Sequence, residues 1–188
     1  MKKCGMILTV LLCVLGISML YAADIQKNLS DNLVRMHIIA NSNTLSDQGI
    51  KLSVRNRILM ETGNAADIQD IERAAKDELV RCGAEYGVRA SVERCYVPEK
   101  KYKNLSLPEG MYNCVRVVLG SGSGENWWCV AYPPLCFTEE MFGEMSIDGQ
   151  SQLEAALDEK TLKAIVENGG VNFRFKIVEE LQKLRYAL

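Results

Sequence analysis

Residues 33–40 read Leu33-Val34-Arg35-Met36-His37-Ile38-Ile39-Ala40, with Val34, Met36, Ile38 and Ala40 alternating against Arg35, His37 and Ile39. Successive side chains of a strand point to opposite faces, so this period of two predicts a β-strand. Asn41-Ser42-Asn43 ends it, and from Ser46 the pattern changes: Ile50, Val54 and Ile58 recur at every fourth position until Gly63-Asn64. That spacing predicts a helix with one apolar face. A strand followed directly by a helix points to the α+β class.

The same reading extends down the chain. Ile68, Ile71, Ala75, Leu79, Cys82 and Tyr86 step by three or four and predict a second helix, with Gly83 and Gly87 as stops. Val88 to Val97 returns to period two as a half-exposed strand. Pro98 to Gly110, with Lys100, Lys101 and Lys103 and two prolines, reads as a surface loop, and Met111 to Leu119 as an apolar strand inside the sheet. The run Gly120-Ser121-Gly122-Ser123-Gly124 leads into strand-like Asn126 to Tyr132. No Lys-Ser/Thr follows the glycines and no helix opens there, so a flexible hairpin connection is expected instead of a phosphate cradle.

Acids crowd residues 137–159, read as a solvated loop and helix. Ser151 with Glu154 forms a capping box for one helix carrying Leu153, Leu157, Ala164 and Ile165, closed by Asn168-Gly169-Gly170. Val171, Phe173, Phe175 and Ile177 alternate as a short strand, and Ile177, Leu181, Leu184 and Leu188 take up helical spacing. With no internal repeat, the expectation is one α+β domain over residues 33–188, a mixed and mostly antiparallel sheet packed with helices.

Composition bounds the function. The chain has 188 residues, 22 Lys+Arg against 24 Asp+Glu, a net charge of −2 and 48% hydrophobic residues, an ordinary globular composition. That balance offers no basic footprint for nucleic acid. His37 is the only histidine, which excludes multi-histidine metal sites; neither a metal nor a cofactor is expected.

Lys2 and Lys3 precede an uncharged apolar run from Cys4 to Ala23, and the first acid is Asp24. Twenty residues at 1.5 Å each reach about 30 Å, enough for a bilayer core, so residues 1–23 form a signal peptide or a membrane anchor, with residues 24–32 as a polar linker. Cleavage and retention stay open. Tyr21 spoils a small-x-small site after Ala23, while Gly16-Ile17-Ser18 fits but lies deep in the apolar run.

Export makes disulfides admissible. Outside the leader stand Cys82, Cys95, Cys114, Cys129 and Cys136, an odd number. Pro133-Pro134 can turn the chain and bring Cys129 and Cys136 together, a closure that would contribute roughly 2.5 kcal/mol in the chain-entropy model. The alternative, five small buried hydrophobes, is equally compatible with the residues.

No reaction centre is evident. Neither a Gly-x-Ser-x-Gly elbow nor a Cys-x-x-Cys motif occurs, and Asn41, Ser42 and Asp47 offer His37 hydrogen bonds that suit a structural role. Paired carboxylates remain available for glycoside hydrolysis, with Trp127-Trp128 as a sugar platform. Strand geometry sends one indole inward and one outward, and an outward tryptophan beside Pro133-Pro134 suits an interface anchor.

Arg35-Met36-His37-Ile38-Ile39-Ala40-Asn41-Ser42, Asp47-Gln48, Lys51-Leu52-x-Val54-Arg55, Leu107-Pro108-x-Gly110-x-Tyr112, and above all Asn126-Trp127-Trp128-Cys129-Val130-Ala131-Tyr132-Pro133-Pro134-Leu135-Cys136-Phe137 resemble the stage II sporulation protein R family. The resemblance runs from about Leu33 to Phe137 and includes the leader. The small departures, at Tyr96 and Tyr132, alter neither charge nor backbone punctuation. It implies a non-enzymatic signalling protein, exported from the forespore into the space between two membranes. There it triggers a membrane-embedded aspartic protease that processes pro-sigma-E in the mother cell. The expected contact surface is Trp127 or Trp128 with Tyr132, Pro133 and Pro134, shaped by a Cys129–Cys136 bond, and Arg35, His37, Asn41 and Asp47 form a second patch. The rivals are a secreted cell-wall or glycan-acting enzyme and a thiol-disulfide protein using Cys129 and Cys136.

Overall fold

The computed structural model describes residues 2–62, 67–102, 105–133, 135 and 147–166. In chain order these form α1 (Lys2–Asn32), β1 (Val34–Ile39), α2 (Leu45–Thr62), α3 (Ile68–Arg81), β2 (Val88–Val97), β3 (Lys100–Tyr102), β4 (Leu105–Leu107), β5 (Gly110–Leu119), β6 (Asn126–Tyr132), α4 (Ile147–Ala156) and α5 (Glu159–Val166). The class is α+β, as the periodicities predict.

The main sheet has the order β2-β5-β1-β6, and β3 pairs with β4 in a small separate ribbon. β5 runs antiparallel to β2 and parallel to β1, while β6 runs antiparallel to β1. The parallel pair is therefore central. Parallel strands are usually covered on both faces, and β1 is accordingly buried along nearly its whole length, polar Arg35 and His37 included. On one face Met36, Ile38, Val115, Val117, Leu119 and Cys129 pack against Val54 and Ile58 of α2 and Ile71, Ala74, Ala75 and Leu79 of α3. On the other, Tyr112, Cys114 and Val130 pack against Ile25 and Leu29 of α1, Leu105 and Leu107 of β4, Leu153 of α4, and Ala164 and Ile165 of α5. Cys95 and Cys114, diagonal neighbours on β2 and β5, are joined by a disulfide with a Cα–Cα distance of 6.1 Å.

Four local expectations give way. Residues 24–32, expected as a polar linker, are the last turns of α1. Ile25, Leu29 and Leu33 repeat at every fourth position inside the polar composition, and all three are fully buried. Burying a side chain of this size stabilises by about 1.5–3 kcal/mol, enough to hold the segment helical against the sheet. The expected surface loop at 98–110 contains β3 and β4, because Leu105 and Leu107 anchor it in the core and Tyr112 donates its hydroxyl to the Pro108 carbonyl at 2.8 Å.

The glycine run is not a hairpin, since β1 lies between β5 and β6 and the connection must cross over its end. The single helix expected from Ser151 is two, and Ser151 lies inside the first of them. Asp158 caps the second, accepting the Thr161 N–H at 2.7 Å. The strand and helix expected over 171–188, the glycines expected to close the helix at 168–170 and the acids at 137–146 fall outside the described residues.

Two glycines of the crossover have no room for a side chain. Gly120 has φ +55°, and its Cβ would collide with the Asn41 side chain; a Cβ on Gly124 would collide with the Ser42 carbonyl, which is backbone and cannot swing away. Gly49, inside α2, has open space around it. Gly124→Ala is expected to destabilise by about 1–3 kcal/mol through overpacking, and Gly49→Ala to stabilise by about 0.5–1 kcal/mol through helix propensity. Urea midpoints of the two variants check both signs. Removing the disulfide as Cys95→Ser with Cys114→Ser is expected to cost about 3 kcal/mol, read from the same titration.

Candidate functional site

The second half of β1 and the start of β6 carry most of the expected site residues. Because His37 sits directly opposite Trp128 in the antiparallel register, their side chains share a face. The two rings stack 3.6 Å apart at 12°. His37 donates Nε2–H to Asn126 Oδ1 at 2.8 Å. Across the sheet the same row continues through Arg116 on β5 and Ser91 on β2, and Arg116 forms a 3.2 Å ion pair with Glu93. Asn126 and Ser91 on this part of the face are exposed, and Trp128, Arg116 and Val118 are partly exposed, while His37 is buried and Trp128 also packs against the core cluster that holds Ile25 and Leu29. Burial pushes the His37 imidazole below its ordinary value, the Asn126 bond opposes that shift, and the Arg116 charge adds to it, so the ring is neutral near pH 7.

Trp127 goes to the opposite face. It packs with the α2 and α3 layer, and the Arg55 guanidinium lies 5.1 Å from its ring centroid. Both indoles are partly buried, so the expected division into one core and one surface tryptophan takes the form of two different sides of the sheet. Tyr132 is exposed at 46%, and Pro133 beside it is buried. Pro134 and Cys136 lie outside the described residues. Cys129 is 3% exposed and engaged in a disulfide.

The second expected patch separates into three places. Arg35 is fully buried, donates Nε–H to the Cys129 carbonyl at 3.2 Å and lies 5.1 Å from the Tyr112 ring centroid; it is a core arginine. His37 belongs to the sheet face. Asn41 and Asp47 instead lock the glycine crossover. Asp47 accepts hydrogen bonds from Asn41 Nδ2 at 2.9 Å, Ser42 Oγ at 2.5 Å and the Tyr86 hydroxyl at 2.7 Å. Asn41 in turn accepts the Ser121 N–H on its side chain at 2.9 Å, and its carbonyl accepts the Ser121 hydroxyl at 2.7 Å and the Ser123 N–H at 3.2 Å.

Gln48 and Lys51 complete this lock. Gln48 Nε2 donates to the Ser42 carbonyl at 2.9 Å, and the buried Lys51 ammonium donates to Gln48 Oε1 at 2.6 Å and the Glu125 carbonyl at 3.0 Å. Hydrogen bonds from Ser42, Tyr86 and Asn41 hold the Asp47 carboxyl below the usual carboxylate range. Burial and the neighbouring Asp47 push the Tyr86 hydroxyl well above its ordinary value.

Sequence reading missed Asn126, Tyr86 and the Cys95–Cys114 bond as members of these clusters. The two cysteines lie on correctly read strands, but only the pairing of β2 with β5 makes them neighbours. Among the described residues no group of three or more His, Cys, Asp or Glu is placed to hold a metal ion.

The motif residues on this scaffold define a protein of bacterial sporulation. The sequence model described as "Stage II sporulation protein R" matches residues 30–70 and 60–141, and the chain belongs to that family. Stage II sporulation protein R of Bacillus subtilis (strain 168) is 32% identical over 157 residues, covering 72% of this chain and 70% of that relative. No solved structure matches. Membership gives the chain a role in sporulation.

The Asp47 lock has a pH signature. A carboxyl whose folded pKa is depressed contributes stability that is fully present above its unfolded value, here 3.8, and is lost as pH falls through the folded pKa. The stability difference between the parent and Asp47→Asn is therefore expected to be largest above pH 5 and to shrink below pH 4. Urea midpoints measured from pH 3 to 7 check it; a pH-independent difference would contradict the assignment.

Proposed function

We propose that this protein is an exported, non-enzymatic signal that activates a membrane-embedded aspartic protease, which then processes pro-sigma-E in the mother cell. Family membership carries the reading. Two structural features support it. The Cys95–Cys114 disulfide suits an oxidising space outside the cytoplasm. The chain's one histidine is committed to an asparagine amide and a tryptophan ring, where acid-base catalysis would need it beside a nucleophile or substrate proton.

Activation requires that the protein bind the active state of the protease more tightly than the inactive one. The contact surface is partly exposed Trp128 with Asn126, backed by the buried His37 ring, together with exposed Tyr132. Trp127 supports that surface from the other side of β6, and Asn41 and Asp47 hold the crossover from which β6 begins. Arg35 fixes β1 to β6 from within.

Co-expression of the full chain with the protease and the sigma-factor precursor in a non-sporulating host is expected to give precursor cleavage only when all three are present. No cleavage from a demonstrably exported chain would overturn the reading and favour wall-directed chemistry, tested by peptidoglycan turnover. Within the working system, Tyr132→Ala and Trp128→Ala are expected to reduce cleavage at least tenfold, with less loss of melting temperature than Trp127→Ala. Full activity of both would place the contact surface elsewhere.

A further inference from the structure

The last turns of α1 belong to the folded domain: Ala22 is 1% exposed, and Ile25, Leu29 and Leu33 are fully buried against the sheet. Ahead of them the helix leaves the domain, and its large apolar side chains from Met6 to Leu20 face outward, Leu20 at 74% exposure. Polar contacts begin where the apolar run ends. Lys160 of α5 pairs with Asp24 at 2.5 Å, and its ammonium lies 4.5 Å from the Tyr21 ring centroid. A tyrosine ring and a lysine at the end of an apolar span match the composition of a bilayer's interfacial layer.

We propose that α1 is retained as a membrane anchor whose surrounding partner is the lipid bilayer, with the folded domain seated directly on the outer membrane surface at Tyr21 and Lys160. The run from Cys4 to Ala23 spans about 30 Å at 1.5 Å per residue, the thickness of a hydrocarbon core. A leader peptidase needs an extended, accessible small-x-small segment, yet residues 17–32 contain neither Gly nor Pro and form one unbroken helix. A cut after Ala23 would strip from the domain Tyr21, which packs against its core, and fully buried Ala22. The better-matched Gly16-Ile17-Ser18 lies on the outward-facing helix, within the hydrocarbon of an anchored protein, with the Ser18 hydroxyl bonded to the Val14 carbonyl at 2.8 Å. With no flexible linker, the domain's height and tilt above the membrane follow those of α1.

The test uses the full chain with a C-terminal tag in an export-competent bacterium, independent of any protease. Intact mass, resistance to alkaline carbonate extraction, and labelling of the exposed Cys82 thiol by a membrane-impermeant maleimide in spheroplasts are measured together. The expected result is a whole chain, resistant to extraction and labelled. A mass lacking residues 1–18 or 1–23 in the soluble fraction overturns the proposal, as does an unlabelled domain. A second chain with an extended Gly-Ser-Gly-Ala-Gln-Ala insert between Ala23 and Asp24 is expected to be cut and released. Should the insert leave processing unchanged, the continuous helix is not what blocks cleavage.

Discussion

The structure depends on the insertion of β5 between β2 and β1. That placement makes β1 a strand with neighbours on both edges, one parallel and one antiparallel. Its Met36 and Ile38 and its Arg35 and His37 must then satisfy two different layers at once. It also forces the chain leaving β5 to cross the end of β1 before β6 can pair on the far side. The glycines and the Asn41, Asp47, Gln48 and Lys51 network are the physical solution to that crossing: close backbone approach where a Cβ would collide, and side-chain acceptors and donors for the peptide groups that the crossover removes from a ladder.

Several family-like motif residues therefore serve architecture. Asn41-Ser42 and Asp47-Gln48 are polar and closely spaced, and they bond to one another, with Asn41 reaching Ser121 and Asp47 reaching Tyr86. Arg35 looks like a surface charge until the sheet places it under α1, where the Cys129 carbonyl and the Tyr112 ring receive it. The proposed contact face is the row running through Arg116, His37 and Trp128, where charged, aromatic and amide groups lie side by side on a rigid sheet. A partner meeting this row would contact side chains already held by stacking and an ion pair, which lowers the entropy lost on binding.

The proposed anchor and the proposed contact face are coupled through the same layer. Ile25 and Leu29 of α1 pack on one face of the sheet, and partly exposed Trp128 packs against that same cluster. In that proposal, one helix sets both the position along the face and the position above the membrane.

Periodicity by itself determined β1, α2, β2, β5 and β6 to within a residue or two, because each carries an apolar repeat of one backbone period; α3 begins as read but ends at Arg81, leaving Tyr86, the last residue of its repeat, beyond the helix. The apolar run after Lys2-Lys3 likewise declared a signal peptide or membrane anchor, and the block from Asn126 to Phe137 declared the family. Tertiary structure decided the rest. The four-residue repeat of Ile25, Leu29 and Leu33 was legible but outvoted by its polar neighbours, and only the sheet beneath it makes the repeat worth burying. Strand order, and with it the Cys95–Cys114 bond, the glycine crossover and the opposite fates of Trp127 and Trp128, depends on contacts between residues far apart in the chain. Local pattern fixes which face a side chain takes relative to its own strand; it carries no information about which layer that face will meet.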